Sequence, residues 1–367
     1  MRFSEFKDSF EITSVGKLVK VKMGQSPDSS SYNTDGIGVP LVQGNADIQD
    51  RTTKPQRYTS LPSSKYCDVG DTLISVRAPV GSISKSNVRA CIGRGIASLG
   101  KIDNFLYQFF LLKENSWGNI AQGSTFSCIT AKDIENLIIG IPTVEERNKI
   151  GSFLALLDER IQTQNKIIKD LKSSVKAILD CFFDHETNSK IGNYITEISE
   201  RNKNDFDYPV FSVSNKKGFI PQQEQFEDKV IASDNKSSYK IVRKNMFAYN
   251  PARINVGSIG LYELDSPCIV SPMYNCFGVK EIDPMYLSMY FKSSFFINEM
   301  SKRLEGSVRM CLTMGGLKNL PIYIPSMDKM NKFSNVYLVI NRKLQNSIKL
   351  LNLYLKQKDY LLSNLFI

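Results

Sequence analysis

The strongest constraint on this chain is that it is written twice. Residues 121–142, AQGSTFSCITAKDIENLIIGIP, align without gaps on residues 304–325, LEGSVRMCLTMGGLKNLPIYIP, at an offset of 304 − 121 = 183. Gly123, Ser124, Cys128, Thr130, Asn136, Leu137, Ile141 and Pro142 meet Gly306, Ser307, Cys311, Thr313, Asn319, Leu320, Ile324 and Pro325. Upstream, VGSIS at 80–84 meets VGSIG at 256–260, where 256 − 80 = 176, so the copies differ in loop length. Two copies at this period describe a duplicated domain, not a solenoid.

Each copy ends in a long helical pattern. Residues 141–183 contain no proline after Pro142 and a single glycine, Gly151, whereas an ordinary helix has about 11–12 residues. Ile150, Leu154, Leu157, Ile161, Gln164, Ile168, Leu171, Val175, Ile178 and Phe182 keep a 4-3-4-3 spacing without a slip, which is a heptad seam. Adding 183 gives Phe333, Tyr337, Ile340, Leu344, Ser347, Leu351, Tyr354, Lys358, Leu361 and Leu365. Such a helix can lie on its own domain or pair with its repeat; the seam is narrow and its flanks are polar, which favours pairing of the two helices with each other. Antiparallel pairing would set Gln164 opposite Ser347, a buried polar pair of the kind that fixes register. A rod of about 33 residues reaches about 50 Å at ~1.5 Å per residue.

The globular stretches read as mixed. Strand-like runs fall at 18–23, 71–77 and 91–99, with helices near 104–114 and 130–136; the second copy has runs at 244–250 and 269–279 and a helix near 284–300. Strands come in blocks ahead of helices, so the expected class is α+β, with a pseudo-two-fold repeat and an antiparallel coiled coil of two long helices between the domains. The expected boundaries are 1–143, 144–183, 184–326 with a short linker at 184–190, and 327–367. The length of 367 residues fits two domains, and 42% hydrophobic residues suffices for packed cores. No apolar run approaches the ~20 residues that span a bilayer, and MRFSEFKDSF lacks a signal-peptide core. The expectation is a cytoplasmic protein. Seven cysteines without C-x-x-C spacing and a single histidine, His185, favour reduced thiols over a zinc site.

Catalytic motifs are missing. There is no P-loop, Gly93-Arg94-Gly95 lacks the third glycine of a dinucleotide fingerprint, and one histidine nearly excludes Ser–His and Cys–His nucleophile systems. Asn250-Pro251-Ala252-Arg253 falls short of the Asn-Pro-Pro-aromatic motif of amino-methyltransferases. Charge is more informative. The net charge of +10 is spread thinly over both globular stretches, with +5 on residues 327–367. Two windows, 72–102 and 235–262, contain no acid and five bases each, and both enclose the VGSI repeat. Phosphate contacts need cations without nearby carboxylates, and base reading needs Arg, Lys, Asn and Gln on exposed loops. The expected DNA-binding residues are Gln43, Asn45, Arg77, Arg89, Arg94 and Ser124 in the first copy. In the second they are Asn215, Lys216, Lys217, Arg243, Arg253 and Arg309.

These features together resemble the specificity subunit of a type I restriction–modification system. That family carries an Ile-Pro-Pro run, an acidic pair with Gln, then a long helix with Leu-Asp-x-x-Ile. Here the stretch is Ile141-Pro142-Thr143-Val144-Glu145-Glu146-Arg147 followed by Leu157-Asp158-Glu159-Arg160-Ile161, with Arg147 in place of Gln. The second copy diverges further: Ile324-Pro325-Ser326-Met327-Asp328-Lys329-Met330, with Asn341 in place of Asp158. The resemblance implies two target-recognition domains, each reading half of a split, asymmetric double-stranded DNA target. It implies paired helices that act as a ruler and as a platform for two modification subunits. Those partners would bind adenosylmethionine and methylate adenine, and a separate restriction subunit would use ATP and Mg to cut. The chain itself would hold no cofactor and no active site. Two rival readings are a duplicated protein-binding adaptor and a fused nuclease or methyltransferase.

Overall fold

The computed structural model describes residues 2–117, 128–204, 206–215, 217–225, 236–306 and 310–366. Two units divide the chain: Met1–Lys166 with Lys349–Ile367, and Ile167–Ile348. Each unit is α+β, as the strand and helix blocks predicted.

In the first unit the strand Thr72–Ser75 pairs antiparallel with Ile83–Lys85 on one side and Ile96–Ser98 on the other, and Lys22–Met23 extends that sheet. A second sheet runs Tyr32–Asn33, Arg57–Thr59, Val39–Val42, Ala90–Ile92, Tyr66–Cys67. Within it Val39–Val42 and Ala90–Ile92 are parallel. The second unit repeats this order. Phe247–Tyr249 lies between Ile259–Leu261 and Asn275–Val279, with Ile195–Ile198 beyond. Its other sheet runs Gly218–Pro221, Val210–Ser214, Cys268–Val270, Lys240–Val242, again with one parallel pair, Val210–Ser214 with Cys268–Val270.

The repeat holds at the level of single hydrogen bonds. Ile129 N–H donates to Val76 O at 2.9 Å, and its counterpart Leu312 N–H donates to Pro251 O at 3.1 Å. Thr130 and Thr313 both cap short helices through their hydroxyls. In each unit the first strand pairs with the last, just ahead of the long helix: Glu11–Ser14 with Ile138–Ile141, and Ser189–Lys190 with Pro321–Ile322. The end of the stretch expected as a linker, 184–190, is therefore structural.

Two runs expected as single strands are broken. The run 91–99 stops at Gly93-Arg94-Gly95 and the run 269–279 at Ser271-Pro272-Met273. The reason is topological: Ala90–Ile92 and Cys268–Val270 belong to one sheet of their unit, Ile96–Ser98 and Asn275–Val279 to the other. The strand residues on either side of each crossing are buried, so apolar periodicity alone does not locate the break. The helix expected near 284–300 is also two, Pro284–Tyr290 and Ser294–Ser301. Ser293 caps the second by accepting from Phe296 N–H at 3.2 Å.

The long helices are Val144–Phe183 and Met327–Leu365. Every seam position is buried or half-buried. In the first unit Ile150, Leu154 and Leu157 share a core with Leu361, Leu362 and Leu365, and Ile161 and Tyr354 pack beside them. In the second unit Leu179 and Phe183 share a core with Met330, Phe333 and Tyr337, and Phe182 stacks on Phe333 with ring centroids 3.5 Å apart. Within each unit, then, the start of one helix lies with the end of the other, which is the antiparallel order. Gly151 permits close packing at the helix start, because a Cβ there would sit 2.8 Å from Phe105 N. Its counterpart Ser334 instead donates to Asp283 Oδ2 at 3.0 Å.

The residues of the first copy's motif stretch have local partners. Arg147 pairs with Asp103, which also caps the helix Asn104–Lys113. The side chain of Glu146 is fully buried and accepts both prongs of the Arg2 guanidinium, at 2.7 and 2.6 Å. Asp158 is held by Lys358 from the second long helix and by Gln108 Nε2 at 2.6 Å. The lysine that interrupts the apolar seam is thus neutralised in place.

Candidate nucleic-acid interface

The crossing between sheets gathers three loops at one rim of each unit. In the first, Gly93 N–H donates to Val42 O at 2.8 Å and Val76 N–H donates to Gly95 O at 2.9 Å. Arg94 N–H donates to Ser26 Oγ at 3.1 Å. A Cβ on Gly95 would lie 2.2 Å from Gln43 O, so only glycine lets the loops approach this closely. These contacts place Gln43, Asn45, Arg77 and Arg94 on neighbouring loops. Gln43 is half-buried and positioned from both ends: its N–H donates to Asp47 Oδ2 at 2.7 Å and its Nε2 to the Tyr32 hydroxyl at 2.8 Å. Arg77 and Arg94 are exposed, and neither forms an ion pair among the described residues.

In the second unit the same place is a cleft of about 780 Å³, lined in part by Asn215, Gln222, Asn250, Arg253, Met273 and Tyr274. Asn215 stands against Gly257, whose φ of 91° is left-handed and suits glycine. Ser258 Oγ donates to Val213 O at 2.8 Å. Lys240 Nζ donates to Tyr274 O at 2.6 Å and the Tyr274 hydroxyl accepts from Val213 N–H at 3.3 Å, which fixes the cleft wall. Tyr249 donates to Leu312 O at 3.2 Å, and burial pushes its phenol up to about 12, so it stays a donor. Arg253 is exposed and forms no ion pair among the described residues. Lys217 is exposed and lines a neighbouring groove of about 920 Å³.

Two of the expected residues are not brought to these rims. Arg89 precedes the strand Ala90–Ile92, which Arg94 follows, so they stand at opposite ends. The Arg89 guanidinium lies 3.4 Å from Asp68 and 5.2 Å from the Tyr66 ring. Arg243 follows Val242, which pairs with Cys268, while the cleft lies beyond Val270. It makes a two-pronged bond to Glu200, at 2.8 Å for the second prong. That bond holds the Glu200 carboxyl below the usual range and raises Arg243 further. The acid-free windows are thus acid-free along the chain only; strand pairing supplies Asp68, Glu200, and Asp265 for Lys244 at 2.6 Å. Ser124, Lys216 and Arg309 lie outside the described residues.

Sequence reasoning missed Gln222, Asn250 and Met273. Asn250 was read only as part of a failed methyltransferase motif. Its Oδ1 accepts from Ala252 N–H at 3.1 Å, a turn that presents Arg253. No group of three or more His, Cys, Asp or Glu among the described residues is placed to hold a metal ion. His185 packs against Tyr323 with centroids 5.0 Å apart. No described helix is long and apolar enough to cross a membrane.

Comparisons with known proteins agree with this architecture. Residues 7–173 match the family described as type I restriction modification DNA specificity domain. A putative type I restriction enzyme MjaX specificity subunit of Methanocaldococcus jannaschii is 37% identical over 183 residues, covering 48% of this chain and 43% of that protein. The chain thus spans less than half the length of that relative. The type I restriction enzyme MjaIX specificity subunit of the same organism is 22% identical over 430 aligned positions, 98% of this chain and 96% of that protein. Among solved structures, the S subunit of a type I restriction-modification system from M. genitalium superposes with a TM-score of 0.66 at 15% identity, covering 100% of this chain and 97% of that one. Residues 7–173 are thus similar to the type I restriction modification DNA specificity domain, and the chain as a whole shares the fold of that S subunit.

Proposed function

We propose that this chain is the non-catalytic, DNA-reading subunit of a type I restriction–modification enzyme, each unit recognising one half of a split, asymmetric target. The observation that carries this reading is a shared scaffold with unlike rims. Strand order, register and caps repeat between units, while the loops over them present Gln43, Asn45, Arg77 and Arg94 in one and Asn215, Gln222 and Arg253 in the other. Guanidinium and amide groups of this kind contact phosphates and base edges. Unlike rims read unlike half-sites.

The long helices run from one unit into the other, and in this reading they set the spacing of the half-sites along the duplex. Two readers on one face of B-DNA need about 34 Å per helical turn between sites, and helices of this length are of that order. Exposed apolar side chains on the helices, among them Leu156, Val336, Val339 and Leu353, support docking of partners. Those partners would be two modification subunits, which bring adenosylmethionine, and restriction subunits, which use ATP and Mg.

Methylome sequencing with the gene intact and disrupted tests the reading. A two-part adenine-methylated motif that disappears with the gene is the expected result. An unchanged methylome, together with no salt-dependent DNA binding by the assembled complex, would overturn it in favour of an adaptor.

A further inference from the structure

The two rims can be compared residue by residue, because register aligns them. Ile92 and Val270 end equivalent strands; Ile96 opens the next strand and Tyr274, its counterpart by register, directly precedes Asn275–Val279. The three residues between are Gly93-Arg94-Gly95 in one unit and Ser271-Pro272-Met273 in the other. The first loop exposes a guanidinium. The second exposes a proline ring and a thioether, Met273 being 62% exposed. Asn250 Nδ2 lies 3.6 Å from Met273 Sδ and ties that side chain to the cleft. By contrast, Arg77 and Arg253 both stand three residues ahead of the same Val-Gly-Ser-Ile. Both are exposed, and the glycine in each copy has a φ of 91°.

Resting on the DNA-reading function above, we propose a division of labour between these positions. The arginine shared by both units, Arg77 and Arg253, holds the phosphate backbone. The crossing loop reads a base, through its second residue, Arg94, in one unit and through its third, Met273, in the other. The argument is chemical. A phosphate is the same in every sequence, so a duplicated scaffold can keep one residue for it in both copies. A base differs between half-sites, so the residue that reads it must differ. A guanidinium on an exposed loop matches the O6 and N7 acceptors of guanine, and an exposed apolar tip matches the thymine methyl. Arg94 thus specifies a guanine in its half-site, and Met273 a thymine in the other.

The test uses the chain assembled with its modification subunits and the motif read from the wild-type methylome. Arg94→Ala and Met273→Ala should each relax preference at one base position, in opposite halves, by about 5–100-fold in relative binding. Arg77→Ala and Arg253→Ala should weaken binding evenly across sequences and lower the salt slope by about one. Arg77→Lys and Arg253→Lys should restore most of it, because a point charge suffices for a phosphate. Uniform weakening by Arg94→Ala, or single-position relaxation by Arg253→Lys, would overturn the division of labour while leaving the DNA-reading function standing. A wild-type methylome without a split motif would remove that function, and this inference with it.

Discussion

The ion pair between Asp158 and Lys358 predicts a specific pattern of stability. Both side chains are largely covered, at 22% and 14% exposed, and Gln108 shares the carboxylate at 2.6 Å. The internal repeat supplies the control. Asn341 takes the place of Asp158 and Val175 the place of Lys358 (341 − 158 = 358 − 175 = 183), so the equivalent positions of the second unit carry no charge. Lys358→Val leaves a half-buried carboxylate with one amide partner. Fully buried pairs lose about 3–5 kcal/mol when one partner goes; the remaining exposure and Gln108 reduce this to about 2–3 kcal/mol. Asp158→Asn costs less, about 1–2 kcal/mol, because the lysine stem can carry its ammonium to water. The double variant, Asp158→Asn with Lys358→Val, imports the other unit's arrangement and should recover to within about 1 kcal/mol of the parent, since replacing a whole buried pair is often neutral. At about 2–4 °C per kcal/mol for a body of this size, Lys358→Val lowers the first unit's melting temperature by about 4–12 °C. Circular dichroism gives the shift, and hydrogen exchange in the helix Asn104–Lys113 assigns it to that unit. A single variant within 1 °C of the parent, or a double variant as unstable as the two singles added, would refute the reasoning.

Arg243→Ala should leave half-site binding nearly unchanged, because Glu200 already occupies the guanidinium, whereas Arg253→Ala weakens it; filter binding distinguishes them. The same pair gives a pH prediction. Glu200 is depressed in the folded state, so the bond's contribution is complete above the ordinary carboxyl range near ~4.3 and is lost as pH falls through the lower folded value. Carbon-13 NMR of Glu200 should show that lowered midpoint, and Arg243→Ala should raise it. Thiol alkylation at pH 8 should label the exposed Cys128 and Cys181 but spare Cys268 and Cys276, which burial pushes up to about 12. Mass spectrometry of the native and urea-unfolded chain reads the difference. Gly81→Ala combines a φ of 91° with a Cβ 2.2 Å from Trp117 Cδ1, and should cost about 2–5 kcal/mol. Gly257→Ala has the same φ but its nearest neighbour is 3.5 Å away, so about 1–2 kcal/mol is expected by chemical denaturation.

The helices and the duplication were legible because both are periodic signals. A heptad seam states which residues are buried, and each of Leu154, Leu157, Ile161, Leu344, Leu351 and Tyr354 is buried or half-buried as expected. The crossing loops were not legible as breaks. Ile92 and Ile96 are both fully buried, so the apolar residues on either side of Gly93-Arg94-Gly95 read as one strand although the chain changes sheets there. Charge was half legible. Arg77, Arg94 and Arg253 were singled out and stand exposed without acidic partners among the described residues. Arg243 shared the same acid-free window and is neutralised by Glu200, because strand pairing joins residues that sequence distance separates. Met273 carried no signal, since an isolated methionine in an apolar run reads as core.

The most direct measurement of the central claim is selection of bound duplexes from a fully randomised library by the assembled complex, followed by sequencing. Two short blocks of base preference, different from each other and divided by an unread gap of fixed length, are the predicted result. A single continuous block, two identical blocks, or a gap that varies freely would contradict the account.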